Sequence, residues 1–203
     1  MTSPTPRTRN SLPVATTWTP QRTADLYASF GWRLARGTYR TYDGCSCRNP
    51  QCAAPGLHAA DADWTQTASS DPQFVRAWLR RHRRACMGTP AGECFDVLEL
   101  PRATGLQLMR RWEFAEFLTG PVLALTGHLL VFTALRSSGT DETGIGRWLP
   151  QTEFLVLPPA GRASAPVRWV VPPTSANTVR LPDPANVLGL IVRSPRRRRT
   201  ASP

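Results

Sequence analysis

The chain has 203 residues, 41% of them hydrophobic, so it is long enough to bury a core and too apolar to be disordered throughout. It carries 25 basic residues against 14 acidic ones, a formal charge of +11, and every basic residue is Arg. No stretch of about 18 apolar residues is present to span a bilayer, and the polar, Thr- and Pro-rich start lacks the apolar segment of a secretory signal.

Residues 1–18 read as a disordered lead-in and residues 19–190 as one domain. Thr19 before Pro20 is a helix start, because Ser or Thr caps the first free amides and Pro is pre-set for the first turn. Leu26, Tyr27 and Phe30 follow on one face, and Gly31 ends the helix. Trp32 to Arg36 alternates weakly, as a strand does. Residues 37–70 have no periodicity and need an internal staple to be ordered. Asp71-Pro72 starts a second helix, with Phe74, Val75, Trp78 and Leu79 on its buried face. A strand is expected at 93–100 and a third helix at 104–118, the latter with Leu106, Met109, Trp112 and Phe117 in the core. Strands are expected near 121–125, 128–135, 154–157 and 167–171, with a polar loop from Gly139 to Arg147. The end of the chain, 191–203, is a polybasic tail that includes Arg196, Arg197, Arg198 and Arg199. This mixture predicts an α+β layer fold with a mixed or antiparallel sheet and flanking helices.

Cys45, Cys47, Cys52 and His58 fall within fourteen residues. Three thiols and an imidazole make a common structural zinc set, although C-x-C-x₄-C-x₅-H differs from the usual CxxC knuckle. Pro50, Pro55 and Gly56 supply turns to wrap the chain round an ion, and zinc is the staple that the aperiodic stretch lacks. The plain alternative is three unrelated thiols beside a surface His. With no export signal, thiols in a cytoplasmic setting are expected rather than disulfides. Cys86 and Cys94 are expected to be buried small apolar residues.

With this cluster in view, the chain resembles the bifunctional DNA primase/polymerase N-terminal domain, the prim-pol branch of archaeo-eukaryotic primases. Tyr27 to Leu34 (YASFGWRL) resembles the family's "Y..GW.v" signature, and Cys45 to His58 its C-x-C…C-x-x-P-G-K-H segment, with Leu57 at the Lys position. Trp64, Ser70-Asp71 and Trp78 resemble its "W…T.D…i..W" stretch. Thr126 to Phe132 (TGHLLVF) is similar to "GG.H.yF", and Pro158 to Trp169 (PPAGRASAPVRW) to "PPS…G..Y.W". The resemblance covers about residues 20–175. It implies a primase-polymerase core with an RRM-like sheet, and nucleotidyl transfer using two Mg²⁺ or Mn²⁺ ions held by an Asp-x-Asp pair and a third acid. It also implies that His128 contacts nucleotide phosphates. DNA, nucleoside triphosphates and a separate helicase are the partners it implies, and DNA replication the setting. The helicase would be separate because no G-x-x-x-x-G-K-[ST] loop is present.

The sequence departs from that pattern at the acids. The strand reads Phe95-Asp96-Val97-Leu98-Glu99-Leu100-Pro101. Aligned on Gly92, the acid positions fall on Val97 and Glu99; aligned on Pro101, on Leu98 and Leu100. Asp96 and Glu99 are three apart and point to opposite faces of a strand unless a bulge intervenes. The third acid position falls near Arg147, with Glu153 the nearest acid. One reading is therefore a binding domain for nucleic acid or nucleotides that keeps the fold and a structural zinc. The other is an active polymerase in which Asp96 and Glu99 hold the catalytic metals and His128 the triphosphate. A structural or partner-binding protein with zinc alone is a third. Arg76, Arg80 and Arg84, on a helix face expected to hold five Arg between 76 and 84, are candidates for a phosphate-backbone track together with the four-Arg tail. A solvated helix face is their plain alternative. Trp32, Trp64, Trp78 and Trp112 read as packing residues rather than base-stacking ones.

Overall fold

The computed structural model describes residues 19–115, 120–137, 143–159 and 167–192. The elements run α1 (Pro20–Ser29), β1 (Ala35–Arg36), β2 (Arg40–Thr41), β3 (Gly44–Cys45), α2 (Trp64–Thr67), α3 (Pro72–Arg81), β4 (Met87–Pro90) and β5 (Asp96–Pro101). They continue α4 (Arg102–Ala115), β6 (Val122–Leu125), β7 (His128–Thr133), β8 (Arg147–Trp148), β9 (Phe154–Leu157), β10 (Arg168–Val171), α5 (Ser175–Val179) and α6 (Pro184–Val192). The fold is α+β, and its sheets are antiparallel.

Both sequence-read helix starts hold. Thr19 accepts from the Arg22 amide and Asp71 from the Gln73 amide, each ahead of a proline in the first turn. Gly31 takes φ +78°, left-handed backbone that suits glycine, and the chain leaves α1 there. The amphipathic pattern is less faithful at the ends. Phe74 is 50% exposed and Leu106 40%, so neither joins the core; Val75, Leu79, Leu108 and Trp112 do. Phe117 lies outside the described residues, as do residues 1–18 and the Arg196–Arg199 run.

A five-stranded sheet in the order β10-β6-β7-β5-β8 forms the middle of the molecule. Side chains alternate across it. One face carries Leu98, Leu100, Val122, Leu129, Val131 and Trp148, and packs with Leu108 and Trp112 of α4 and Val187 and Ile191 of α6. The other face carries Val97, Leu123, Leu130 and Phe132. It packs with Tyr27 of α1, Val75 and Leu79 of α3, Trp32, and the three-stranded sheet β1-β4-β9. Trp32 sits at its centre, with ring centroids 5.4 Å from Tyr27, 4.9 Å from Phe95 and 5.6 Å from Phe132. The Tyr27 hydroxyl donates to the Pro158 carbonyl at 2.6 Å and accepts from Trp169 Nε1 at 2.7 Å. Three sequence segments that look unrelated in the chain thus meet around one phenol. Burial pushes that phenol well above its ordinary range, against the Trp169 hydrogen bond that lowers it.

The strand β4 packs close to its neighbour. A Cβ on Gly88 would lie 2.5 Å from the Phe154 ring and 2.8 Å from the Leu155 carbonyl, so only glycine fits against β9 here. Cys86, just before β4, is fully buried. Cys94 is exposed, contrary to expectation, because it precedes β5 on the turn beside Gly31.

Candidate functional site

The aperiodic stretch folds round its own cysteines. β2 and β3 form a short hairpin ending in Cys45. The chain then turns twice, and Thr38 clamps the return by bonding the His58 carbonyl from both its amide and its hydroxyl. Ligand atoms of Cys45, Cys47, Cys52 and His58 all lie within 4.8 Å of one another. His58 Nε2 is 3.4 Å from the Cys45 sulfur and 3.3 Å from the Cys52 sulfur. A zinc tetrahedron with bonds of about 2.0–2.3 Å has edges of about 3.3–3.8 Å, so these spacings fit one ion. His58 Nδ1 is held 2.8 Å from the Ala59 carbonyl, which fixes the ring and leaves Nε2 facing the sulfurs. Burial acts to raise the Cys45 thiol, but hydrogen bonds from the Cys47 and Gly56 backbone and from Thr38 outweigh it and bring its pKa down to about 6. That favours the thiolate a metal requires. The Cys52 thiol is raised, by desolvation first and then by the adjacent Cys47 and Cys45 sulfurs. The four residues can hold a metal such as zinc.

The second cluster lies on the five-stranded sheet. β5 pairs with β7 in unbroken register, Asp96 opposite Thr133 through Pro101 opposite His128, and with β8, Glu99 opposite Arg147. Glu99, His128 and Arg147 therefore share one face. Glu99 Oε2 accepts from Arg147 Nε at 2.6 Å, and Glu99 Oε1 is 3.8 Å from His128 Nδ1. Val97, on the same face two residues before Glu99, is fully buried among Phe95 and Phe132. Asp96 faces the opposite side. It is 4% exposed and accepts from the Arg136 amide at 2.7 Å and from Arg136 Nε at 3.2 Å, while the Arg136 guanidinium lies over Trp148. No bulge re-aims it, so the structure does not bring Asp96 and Glu99 together. Among the described residues, the Cys45 quartet is the one group of three or more His, Cys, Asp or Glu side chains placed to share an ion.

The sequence profile of the family described as bifunctional DNA primase/polymerase, N-terminal, matches residues 23–185. The chain belongs to that family. Comparison with curated proteins and with solved structures gives no match. Membership explains why the Tyr27-Trp32, Cys45-His58, Thr126-Phe132 and Pro158-Trp169 segments occur in this order. It also implies interaction with nucleic acid or nucleotides. Among the described residues no helix is long and apolar enough to cross a membrane.

The arginines divide by position. Arg76 is held by Asp25 through two 2.7 Å bonds, Nε and Nη2 to the two carboxylate oxygens, and ties α3 to α1. The helix face expected to run to Arg84 is shorter, because α3 ends at Arg81 and Arg83 and Arg84 follow its cap, His82; Arg80 and Arg84 make no ion pair among the described residues, and Arg84 lies 4.8 Å above the Tyr39 ring. Two arginines not singled out from sequence, Arg136 and Arg147, are the ones that engage the β5 acids. Arg147 had been visible only as the residue standing where an acid was expected.

Proposed function

We propose that this chain is a nucleic-acid-binding member of the prim-pol family in which the two-metal centre is absent, on a primase-polymerase core stiffened by a structural zinc. One observation carries the reading: Glu99, the acid on the His128 face, already has a cation, because Arg147 Nε lies 2.6 Å from it. Two-metal transfer needs several hard oxygen ligands around two cations. Here the residue two before Glu99 on the same face is the buried Val97, and the residue opposite Glu99 is Arg147. The protein charge at that point is balanced without metal. What persists is a surface suited to polyanions: a net +11 and arginine side chains able to pair with phosphates. His128, with a half-exposed side chain beside the ion pair, is placed to touch a phosphate but not to complete a metal site.

Primer synthesis is the test. Purified protein is given single-stranded template, nucleoside triphosphates and Mn²⁺, with a Glu99→Ala control. The expected result is no product above the control, together with salt-sensitive retention of the same protein on DNA. Template-dependent product lost in Glu99→Ala restores the active-polymerase reading. In that reading Mg²⁺ or Mn²⁺ sits on Glu99 after Arg147 has swung away.

A further inference from the structure

Three cavities run from the ends of α1 and α3 to the metal-ligand hairpin. The first, about 240 Å³, is lined by Arg80 and Arg83. It shares Arg83 and Ala85 with the second, about 370 Å³, which adds Arg36, Arg81 and Arg84. The second shares Tyr39 and Ser46 with the third, about 430 Å³, where Arg48 stands. The three thus adjoin through shared lining residues, and together they are called the groove. Cys47 borders the middle cavity and Cys45 the last, so the metal quartet fixes one wall.

Its charge is one-sided. Arg36 is held by Asp61 at 2.7 and 2.9 Å, and Asp43 lies at the far end. Among the described residues, Arg80, Arg81, Arg83 and Arg84 have no carboxylate partner, and all four are exposed. Four like charges within five positions repel one another, and an anion in the groove relieves that repulsion. The groove also carries aromatic surface. Tyr39 lines it beneath Arg84, and Tyr42, which does not line it but stands between the lining residues Thr41 and Asp43 at the hairpin tip, is fully exposed at 103%. An exposed ring with no packing role is a stacking platform.

We infer that this groove binds the backbone of single-stranded nucleic acid, with phosphates on Arg80 to Arg84 and a base stacked on Tyr42. The inference rests on the nucleic-acid-binding reading above and gives it a location, well apart in sequence from the Glu99 face. Single strands are favoured over duplex because the groove is a chain of small pockets rather than a surface matching a helix, and because stacking needs an unpaired base. The pockets hold no array of buried side-chain donors for base edges, so binding is independent of sequence and dependent on salt.

The test is fluorescence anisotropy of a labelled oligo(dT) with the full zinc-loaded chain, titrated at several salt concentrations. The double variant Arg83→Glu/Arg84→Glu is expected to bind at least tenfold more weakly. Its log–log salt slope should be shallower by about 1.4, the value for two lost single-strand phosphate contacts. Tyr42→Ala is expected to lose about 5- to 150-fold with the slope unchanged. Arg168→Glu/Arg180→Glu is the control, with the same charge change at exposed positions outside the groove. Melting curves of all variants confirm folding. Equal losses in the groove and control pairs overturn the groove while leaving the nucleic-acid reading in place. A duplex of the same length, or polyglutamate, binding as tightly as the single strand overturns the choice of ligand. No binding of any nucleic acid by the unaltered chain overturns both readings.

Discussion

Arg147→Asp is the most direct probe of the proposal that a guanidinium stands in for a metal at the sheet site. A divalent ion bound to Glu99 would sit about 2.1 Å from a carboxylate oxygen. Arg147 Nε lies 2.6 Å from Glu99 Oε2, so ion and guanidinium would be about 4.5 Å apart. A charge of +2 facing +1 at that distance is repelled by about 7 kcal/mol at an effective dielectric of 20, and by about 2 kcal/mol in water. The Arg147 side chain is 55% exposed and that of Glu99 15%, which draws the value towards the lower figure. Removing the cation is thus expected to strengthen Mn²⁺ binding at Glu99 by about 30-fold or more, before counting the added carboxylate. The change should also cost stability, because Glu99 is only 15% exposed and loses the cation that offsets its desolvation, so a melting curve establishes that Arg147→Asp is folded before the titration. Titration of free Mn²⁺ by electron paramagnetic resonance reads the affinity without requiring activity. Glu99→Gln in the Arg147→Asp background should abolish the gain. An unchanged Mn²⁺ affinity in Arg147→Asp, or tight Mn²⁺ binding by the unaltered chain at Glu99, refutes the claim that this guanidinium excludes the metal.

Three further outcomes are expected. Metal analysis should find about one zinc per chain, and Cys52→Ser or prolonged chelation should release it and expose residues 37–63 to proteolysis, since structural zinc contributes on the order of 10 kcal/mol in isolated peptides; metal-free protein with the segment still protected contradicts this. Trp32→Ala should destabilise by about 3–5 kcal/mol in urea unfolding, because Trp32 is 3% exposed and touches Tyr27, Phe95 and Phe132; a loss under about 1 kcal/mol would mean that the aromatic cluster is not the core's centre. Burial pushes the Cys86 thiol up to about 12. Its folded pKa is raised, so its contribution is full below the unfolded value of about 9 and is lost as pH rises towards 12, by about 4 kcal/mol at most. Denaturation midpoints should therefore fall between those pH values, and less steeply in Cys86→Ala; the same slope in both proteins removes Cys86 as the cause.

What the sequence made legible was whatever is local. Thr19-Pro20 and Asp71-Pro72 announced helices because a cap needs only adjacent residues, and Cys45 to His58 announced a metal set because fourteen residues can close on themselves. Local signals were also overlooked: Thr174 caps α5 in a box with Asn177, and Asp183 accepts from the Ala185 and Asn186 amides at the start of α6. Strand β4 gave no alternation to find, since Met87-Gly88-Thr89-Pro90 is buried at all four positions between two strands. Phe74 and Leu106 sit at helical spacing on amphipathic helices but at their edges, where no neighbouring element reaches them. The β5 acids are the instructive case. Alternation alone predicted that Asp96 and Glu99 diverge, and they do. Their partners, Arg136 and Arg147, are 40 and 48 residues away and are fixed only by strand register.

That register bears on the proposal that this fold can stand without a two-metal centre. Glu99 is mostly buried, and a carboxylate left there alone would pay for desolvation without compensation. In a metal enzyme the ions supply that compensation. Here Arg147, directly opposite Glu99 across β5 and β8, supplies it instead. His128 remains on the same face because its position is set by the β6–β7 turn, where Gly127 takes φ +77°, and not by the charge of its neighbours. Fold, zinc loop and histidine are thus independent of the acids, whereas two-metal chemistry is not. An arginine rather than an acid at position 147 also adds to the net positive charge of the surface. Reversing residue 147 alone should accordingly improve cation binding while weakening polyanion binding slightly, and should lower the unfolding transition of the metal-free protein, with Mn²⁺ restoring part of the loss.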